Sequence, residues 1–375
     1  MPWNEATAMS ERIKFVLEWE LGQTPKTVLC RKYGVSRKTG YKNWDRYRKF
    51  GLEGLKDQSR APQRRPTRSA SDVVEEILAL RREYPRLGGR KINRMLKNRG
   101  LVKVPAPSTI TDILRRNGLI DPAESRRRKP FIRFEHERPN QLWQMDFKGH
   151  FALEPGRCHP LTVLDDHSRF SVGLKSCPHE RGELVERHLT AIFRRSGLPE
   201  RITMDNGSPW GPHLTTLVVW LIRLGIKVSH SRPYHPQTQG KDERFHRSLK
   251  EEWLAFHPVR TLAEAQATFD RWLEFYNFER PHEALDLGVP ADHYRPSERA
   301  FPEALPEIVY EPGVEVRKVQ AKGEIYFKGR VFLVGRALHG LPVALRPASA
   351  DGEFDVFFCK ERVGGINLNE ADDER

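Results

Sequence analysis

The chain has 375 residues, too many for one ordinary domain, and its 64 basic and 50 acidic residues give a formal charge of +14. The surplus is one-ended: residues 1–133 hold 32 basic and 14 acidic residues, residues 134–375 hold 32 and 36, as expected of a polyanion-binding arm joined to near-neutral domains. No stretch approaches the roughly 18 consecutive apolar residues of a membrane span and the N-terminus does not read as a secretory leader, so a soluble cytoplasmic protein with no membrane partner is expected.

Residues 1–60 read as a three-helix unit. The first helix runs near Ser10 to Leu21. The second starts with Thr24 as N-cap and Pro25 at the first helical position, and ends at Tyr33-Gly34. Ser36 caps a third, on which Tyr41, Trp44 and Tyr47 share one arc and Lys38, Lys42, Arg46 and Lys49 another. Helix, Gly-containing turn and basic amphipathic helix together predict a helix-turn-helix, whose last helix would enter the major groove of double-stranded DNA, the alternative being an ordinary three-helix bundle with a solvated basic face. Cys30, Cys158, Cys177 and Cys359 form no CxxC pair and no histidine precedes His136, which excludes a zinc finger in the arm.

A Pro- and Arg-rich linker, 61–70, leads to a second helix-turn-helix at 71–120. Val73, Ile77 and Leu80 stripe its first helix, Gly88-Gly89 interrupt, a second helix spans Arg90 to Arg99, and Ser108 caps a third. Arg90, Lys91 and Arg94 are its expected phosphate contacts. Residues 121–138 form a basic linker that includes Arg126-Arg127-Arg128-Lys129.

From about Pro139 the pattern turns to strands. In Trp143-Gln144-Met145-Asp146-Phe147 the alternation projects Asp146 from the face opposite Trp143, Met145 and Phe147. Strands at Leu161 to Leu164 and Phe170 to Leu174 flank a tight connection, where Asp165 and Asp166 are expected to satisfy backbone donors of the turn. A helix near Glu180 to Ser196, a strand ending at Asp205, a helix near His213 to Leu224 and a short strand at Lys227 to Ser229 follow. Beyond the loop Arg232 to Gly240, a helix from Lys241 to Phe256 gathers Phe245, Leu249, Trp253 and Phe256 on one side. Glu243, Arg247 and Lys250 share the opposite side. His230, His235 and His246 are read as loop or packing residues.

Pro233-Tyr234-His235-Pro236-Gln237-Thr238-Gln239-Gly240-Lys241-Asp242-Glu243 resembles the segment that carries the last catalytic carboxylate in retroviral-type integrases and in bacterial insertion-sequence transposases with an integrase core. Trp143 to Asp146 and Met204 to Gly207 resemble the first and second carboxylate motifs, and Tyr276-Asn277 with Arg280-Pro281-His282 the closing segment. The arm without zinc ligands fits the bacterial DDE transposase branch. That resemblance implies a ribonuclease-H-like α/β core over 139–300, with a mixed five-stranded sheet and Asp146, Asp205 and Glu243 as catalytic metal ligands. Asp242, the rival acid, projects to the apolar side. The implied cofactor is Mg²⁺, with Mn²⁺ as substitute, since oxygen ligands select hard cations. Gln239, Arg247 and Lys250 would steer phosphates. The expected function is cleavage of transposon ends at terminal inverted repeats and their transfer to target DNA, by a homodimer or larger homo-oligomer on DNA. A DNA-binding regulator with an inactive core, and a nuclease without strand transfer, are the alternatives.

Prolines at 302, 306 and 312 mark a linker over 301–312. Short β-rich runs from Val314, broken by Lys328-Gly329 and Asp351-Gly352, predict a small all-β barrel over 313–375. The chain thus reads as multidomain: an all-α arm of tandem helix-turn-helix units, an α/β core and a β-barrel.

Overall fold

The computed structural model describes residues 8–57, 69–120, 136–211, 214–230 and 240–370. Gln239, His235, most of the Pro233-to-Glu243 motif and the Arg126–Lys129 run lie outside them. The chain divides into two compact units, residues 1–68 and 69–375.

In the first unit, α1 (Ala8–Leu21), α2 (Lys26–Lys32) and α3 (Arg37–Phe50) enclose Phe15, Val16, Trp19, Leu29 and Cys30, and Leu55 of a 3-10 turn closes the cluster. Ser36 Oγ accepts from Thr39 N at 3.2 Å, capping α3 as its sequence predicts. Pro25 takes the N-cap of α2 itself, so the helix begins one residue later than expected. Trp44 and Tyr47 pack inward, whereas Tyr41 stays exposed and touches Trp19 only edge-on at 5.1 Å. Gly40 explains how closely α3 approaches: a Cβ there would lie 2.7 Å from Cys30 Sγ.

The second unit starts with α4 (Ser71–Glu83), α5 (Gly89–Asn98) and α6 (Pro107–Arg116). Pro107 opens α6 with Ala106 as N-cap, so Ser108 lies inside the helix rather than capping it. These helices do not form a separate core. Ile77, Leu80, Tyr84, Ile92 and Leu96 belong to one apolar cluster with Phe245, Leu249, Trp253 and Trp272 of the α/β part, and Tyr84 stacks on Phe275 at 4.0 Å.

The α/β part is built on β1 (Trp143–Phe147), β2 (Phe151–Ala152), β3 (Arg157–Asp165), β4 (Ser171–Cys177), β5 (Arg201–Met204) and β6 (Lys227–His230), with the order β2-β3-β1-β5-β6 and β4 also paired to β3. The sheet is mixed: β1 runs antiparallel to β3 and parallel to β5, and β5 parallel to β6. Six strands replace the expected five because β2, only two residues long, leaves no readable alternation. α7 (Gly182–Ser196) and α8 (Thr216–Arg223) contribute to the apolar cluster on one side. α9 (Gly240–Ser248) and α10 (Leu262–Glu274) contribute to the other. α9 passes into a π-helical turn at Leu249–Leu254. Its wider i,i+5 turn shifts the helical phase, which leaves Phe256 exposed although regular projection puts it with Trp253.

The C-terminal region has β7 (Glu315–Lys318), β8 (Glu324–Phe327), β9 (Arg330–Leu333), β10 (Pro342–Pro347), β11 (Glu353–Phe358) and β12 (Glu361–Asn367). Four form an antiparallel sheet in the order β12-β11-β10-β7, and β8-β9 form a separate hairpin. The expected barrel is therefore not closed by backbone pairing among the described residues. Side chains join the two pieces instead, with Phe327 edge-on to Phe354 at 4.8 Å.

Candidate active site

Strand pairing brings the first two carboxylates together. Trp143 pairs with Ile202 and Gln144 with Thr203 across parallel strands, and the same register carried two residues on sets Asp146 beside Asp205. Asp205 follows β5 directly, where its Oδ1 accepts from Gly207 N at 2.9 Å and from Trp210 Nε1. Trp210 is buried and stacks on Phe147. Two donors on one oxygen fix the rotation of the carboxylate before any ligand arrives.

The first turn of α9 supplies the remaining acids. Asp242 is buried and Glu243 exposed, as adjacent residues on a helix about 100° per residue apart should be when one faces the sheet. Thr162 Oγ1 on β3 lies 3.0 Å from Asp242 Oδ1 and 2.8 Å from His246 Nε2. Ligand atoms of Asp146, Asp242 and His246 all fall within 4.8 Å of one another. Burial, then the neighbouring Asp205, pushes Asp146 up to about 7, with Glu180 and Glu243 adding to the effect. Burial and then Asp146 push Asp242 well above the carboxylate range. Burial and Lys148 hold His246 down to about 3, so its ring is neutral at ordinary pH. The crowding of carboxylates raises the cost of ionising Asp146, and a hard dication held by oxygen donors of this kind would offset it.

Asp165 behaves as a turn residue, accepting from Ser168 N at 2.8 Å and from Asn140 N at 2.7 Å. Asp166 does more than its turn reading implies. Its buried carboxylate meets Lys241 Nζ at 2.5 Å, Gln144 Nε2 at 2.8 Å and His136 Nδ1 at 2.8 Å. Burial alone would raise it, but Lys241 and His136 outweigh that and hold it below the usual range. Thr162, Gln144 and Asp166 were not singled out as site residues in the sequence. The one available signal was period two, which puts polar Gln144 on the same strand face as Asp146.

The expected phosphate contacts divide. Lys38, Lys42, Lys49, Arg90, Arg247 and Lys250 are exposed. Arg46 is half-buried and donates through Nη2 to Lys56 O at 2.6 Å, holding the 3-10 turn. Arg94 is half-buried with its Nε out of solvent. Lys91, also half-buried, is pushed down to about 7 by burial and then by Arg280, and it faces the core rather than open solvent. The closing segment is structural. Arg280 makes a buried two-pronged pair with Glu252, at 2.7 and 2.5 Å, and Asn277 brackets Ser171 of β4 through Ser171 N (2.9 Å) and Ser171 O (3.0 Å).

A mixed sheet whose adjacent parallel strands deliver two aspartates, with a third acid from a crossing helix, defines an integrase-type ribonuclease-H-like core. Comparison with known proteins agrees: an Integrase core domain matches residues 136–236 and a second of the same description residues 224–290. An IS481 family transposase C-terminal domain matches residues 314–374, and Homeodomain-like and Helix-turn-helix domains match 39–114 and 11–63. The insertion element IS407 protein of Burkholderia multivorans is 26% identical over 236 residues, covering 61% of this chain and 82% of its own. The insertion element IS476 protein of Xanthomonas euvesicatoria is 32% identical over 157 residues, covering 41% and 44% respectively. The magnesium complex of the HTLV-2 integrase catalytic core has 17% identity and a TM-score of 0.35, covering 42% of this chain and 99% of that one. These matches support an insertion-sequence transposase with helix-turn-helix DNA-binding domains and an integrase core. No helix among the described residues is long and apolar enough to cross a membrane.

Proposed function

We propose that the protein binds the terminal inverted repeats of its element as a homodimer or larger assembly, cleaves the DNA ends and joins them to target DNA. Asp146, Asp205 and Glu243 would hold two Mg²⁺ ions, with Mn²⁺ as substitute. The observation that carries this reading is the convergence of Asp146 and Asp205 from neighbouring parallel strands, with Glu243 near enough to raise Asp146. When bound, such ions supply activation of a water or 3′-hydroxyl nucleophile and stabilisation of the leaving oxygen. The protein's own part is placement. Trp210 and Gly207 hold Asp205 in one rotamer, Asp242 and Thr162 brace α9 from below, and exposed Arg247 and Lys250 offer cations to the DNA backbone. Gln239 would assist from the preceding loop. Lys38, Lys42, Lys49 and Arg90 would hold other phosphates of the ends.

A second ligand set has its own support, since Asp146, Asp242 and His246 are the close-set group. It makes the opposite demand on two adjacent residues. In an assay with labelled element ends and Mg²⁺, Glu243→Gln should abolish cleavage and joining while end binding persists, and Asp242→Asn should retain measurable cleavage. A silent Asp242→Asn with an active Glu243→Gln would transfer the ligand role to the buried set. Wild-type binding without products would favour a regulator, and cleaved but never joined ends a nuclease.

A further inference from the structure

Asp166 joins the elements that deliver the first and third carboxylates. Its Oδ1 accepts from Gln144 Nε2 at 2.8 Å, two residues before Asp146 on β1. Its Oδ2 pairs with Lys241 Nζ at 2.5 Å, two residues before Glu243 on α9, and the same ammonium donates to the Asp166 carbonyl at 3.0 Å. Gln144 completes the circuit, its Oε1 accepting from Asp242 N at 3.3 Å. Asp166, Gln144 and Lys241 are 3%, 2% and, for its side chain, 16% exposed, so these contacts are shielded from the screening that weakens surface pairs. The Asp166 backbone N–H itself donates to Leu142 O, the residue just before β1, at 2.9 Å. One carboxylate therefore sets the start of α9 relative to β1.

We propose that Asp166 and Lys241 are positioning residues that fix Glu243 relative to Asp146, and so set the affinity of the carboxylate site for divalent metal. This rests on the ligand assignment above. A buried ion pair is a poor means of gaining stability, because desolvation offsets the attraction, but its fixed geometry suits the control of register. Partners behind metal ligands typically change affinity or activity by about 10–100-fold when removed.

The test uses the full-length protein and Mn²⁺ alone, followed by calorimetry or electron paramagnetic resonance without DNA, alongside Mg²⁺ titration of end cleavage. Lys241→Met should weaken Mn²⁺ binding and raise the Mg²⁺ concentration for half-maximal cleavage by about tenfold or more, with end-DNA affinity unchanged. Lys241→Arg, which can restore the pair, should recover most of the loss. Asp166→Asn, nearly isosteric, gives the same reading should Lys241→Met fail to fold. Native metal affinity and half-saturation in the folded variants would overturn the proposal, as would weakened DNA binding with unchanged metal response, which would make Lys241 a phosphate contact. A wild-type protein without metal-dependent cleavage would instead overturn the reading of the core, a result distinguishable from either.

Discussion

Removing one charge from the site should stabilise the metal-free protein, in a pH window that the structure specifies. Asp146 is held near 7 in the fold by burial and then Asp205, against an ordinary value of 3.8. The folded state therefore binds the proton more tightly than the unfolded chain. The stabilisation from that proton is full below about pH 3.8 and is lost as pH rises through about 7. Between about pH 5.5 and 7 the loss amounts to about 2 kcal/mol at 1.36 kcal/mol per pH unit, and partial solvent access reduces it to about 1 kcal/mol. Asp146→Asn removes the titration, and it also relieves Asp242, which Asp146 helps to raise. The half-buried histidines His188 and His246 and the buried His282 are all shifted downward and titrate with the opposite sign, so the wild-type curve alone is ambiguous. The difference between variant and wild type largely cancels them. Urea denaturation without metal should show Asp146→Asn gaining about 1–2 kcal/mol on wild type from pH 5.5 to pH 8. Mg²⁺ at tenfold its dissociation constant should return about 1.4 kcal/mol to wild type at pH 8 and nothing to the variant. A pH-independent difference, or equal Mg²⁺ stabilisation of both proteins, would refute the electrostatic account.

Two other perturbations separate structure from grip. Arg280→Met strands the buried Glu252 carboxylate and should cost about 3–5 kcal/mol in chemical denaturation, whereas replacing both partners with apolar residues should cost far less. Lys38→Ala should reduce the slope of log K for end binding against log salt by about 0.9, the value of one phosphate contact, and Lys91→Ala, which faces Arg280 and Glu252, should leave the slope unchanged.

Strand alternation made β1 legible, and with it the direction of Asp146, because period two depends only on which residues are apolar. Helix caps were legible where a side chain makes the bond, as at Ser36, and misassigned by one or two positions where proline changes the geometry, as at Pro25 and Pro107. α10 went unread although its Thr261 cap and buried Ala265, Phe269 and Trp272 form a regular pattern. The π-helical turn was beyond periodic projection altogether, since its extra residue breaks the 100° spacing on which projection rests. Shared cores are invisible for a related reason. The stripe on α4 shows that the helix buries a face, but only the fold shows that the face meets Phe245 and Trp272.

Cations illustrate the same limit from the opposite side. Charge marks Arg46 and Lys91 as phosphate contacts because it registers polarity, not what a long side chain can reach. Arg46 has a carbonyl of its own unit within reach, and Lys91 is drawn out of solvent within the electrostatic reach of Arg280 and Glu252, so part of the basic surplus of residues 1–133 is engaged inside the protein. Conversely, the near-neutral remainder places Arg247 and Lys250 in solvent on the same helical stretch as Glu243. Net charge thus identifies a polyanion as the partner but does not say where it is held. At the site itself, adjacent acids 242 and 243 on one helix must part, one towards Thr162 and the other towards solvent. A substrate as bulky as duplex DNA would be met more readily from the exposed one, which is the physical reason for proposing Glu243 as the ligand and Asp242 as its brace.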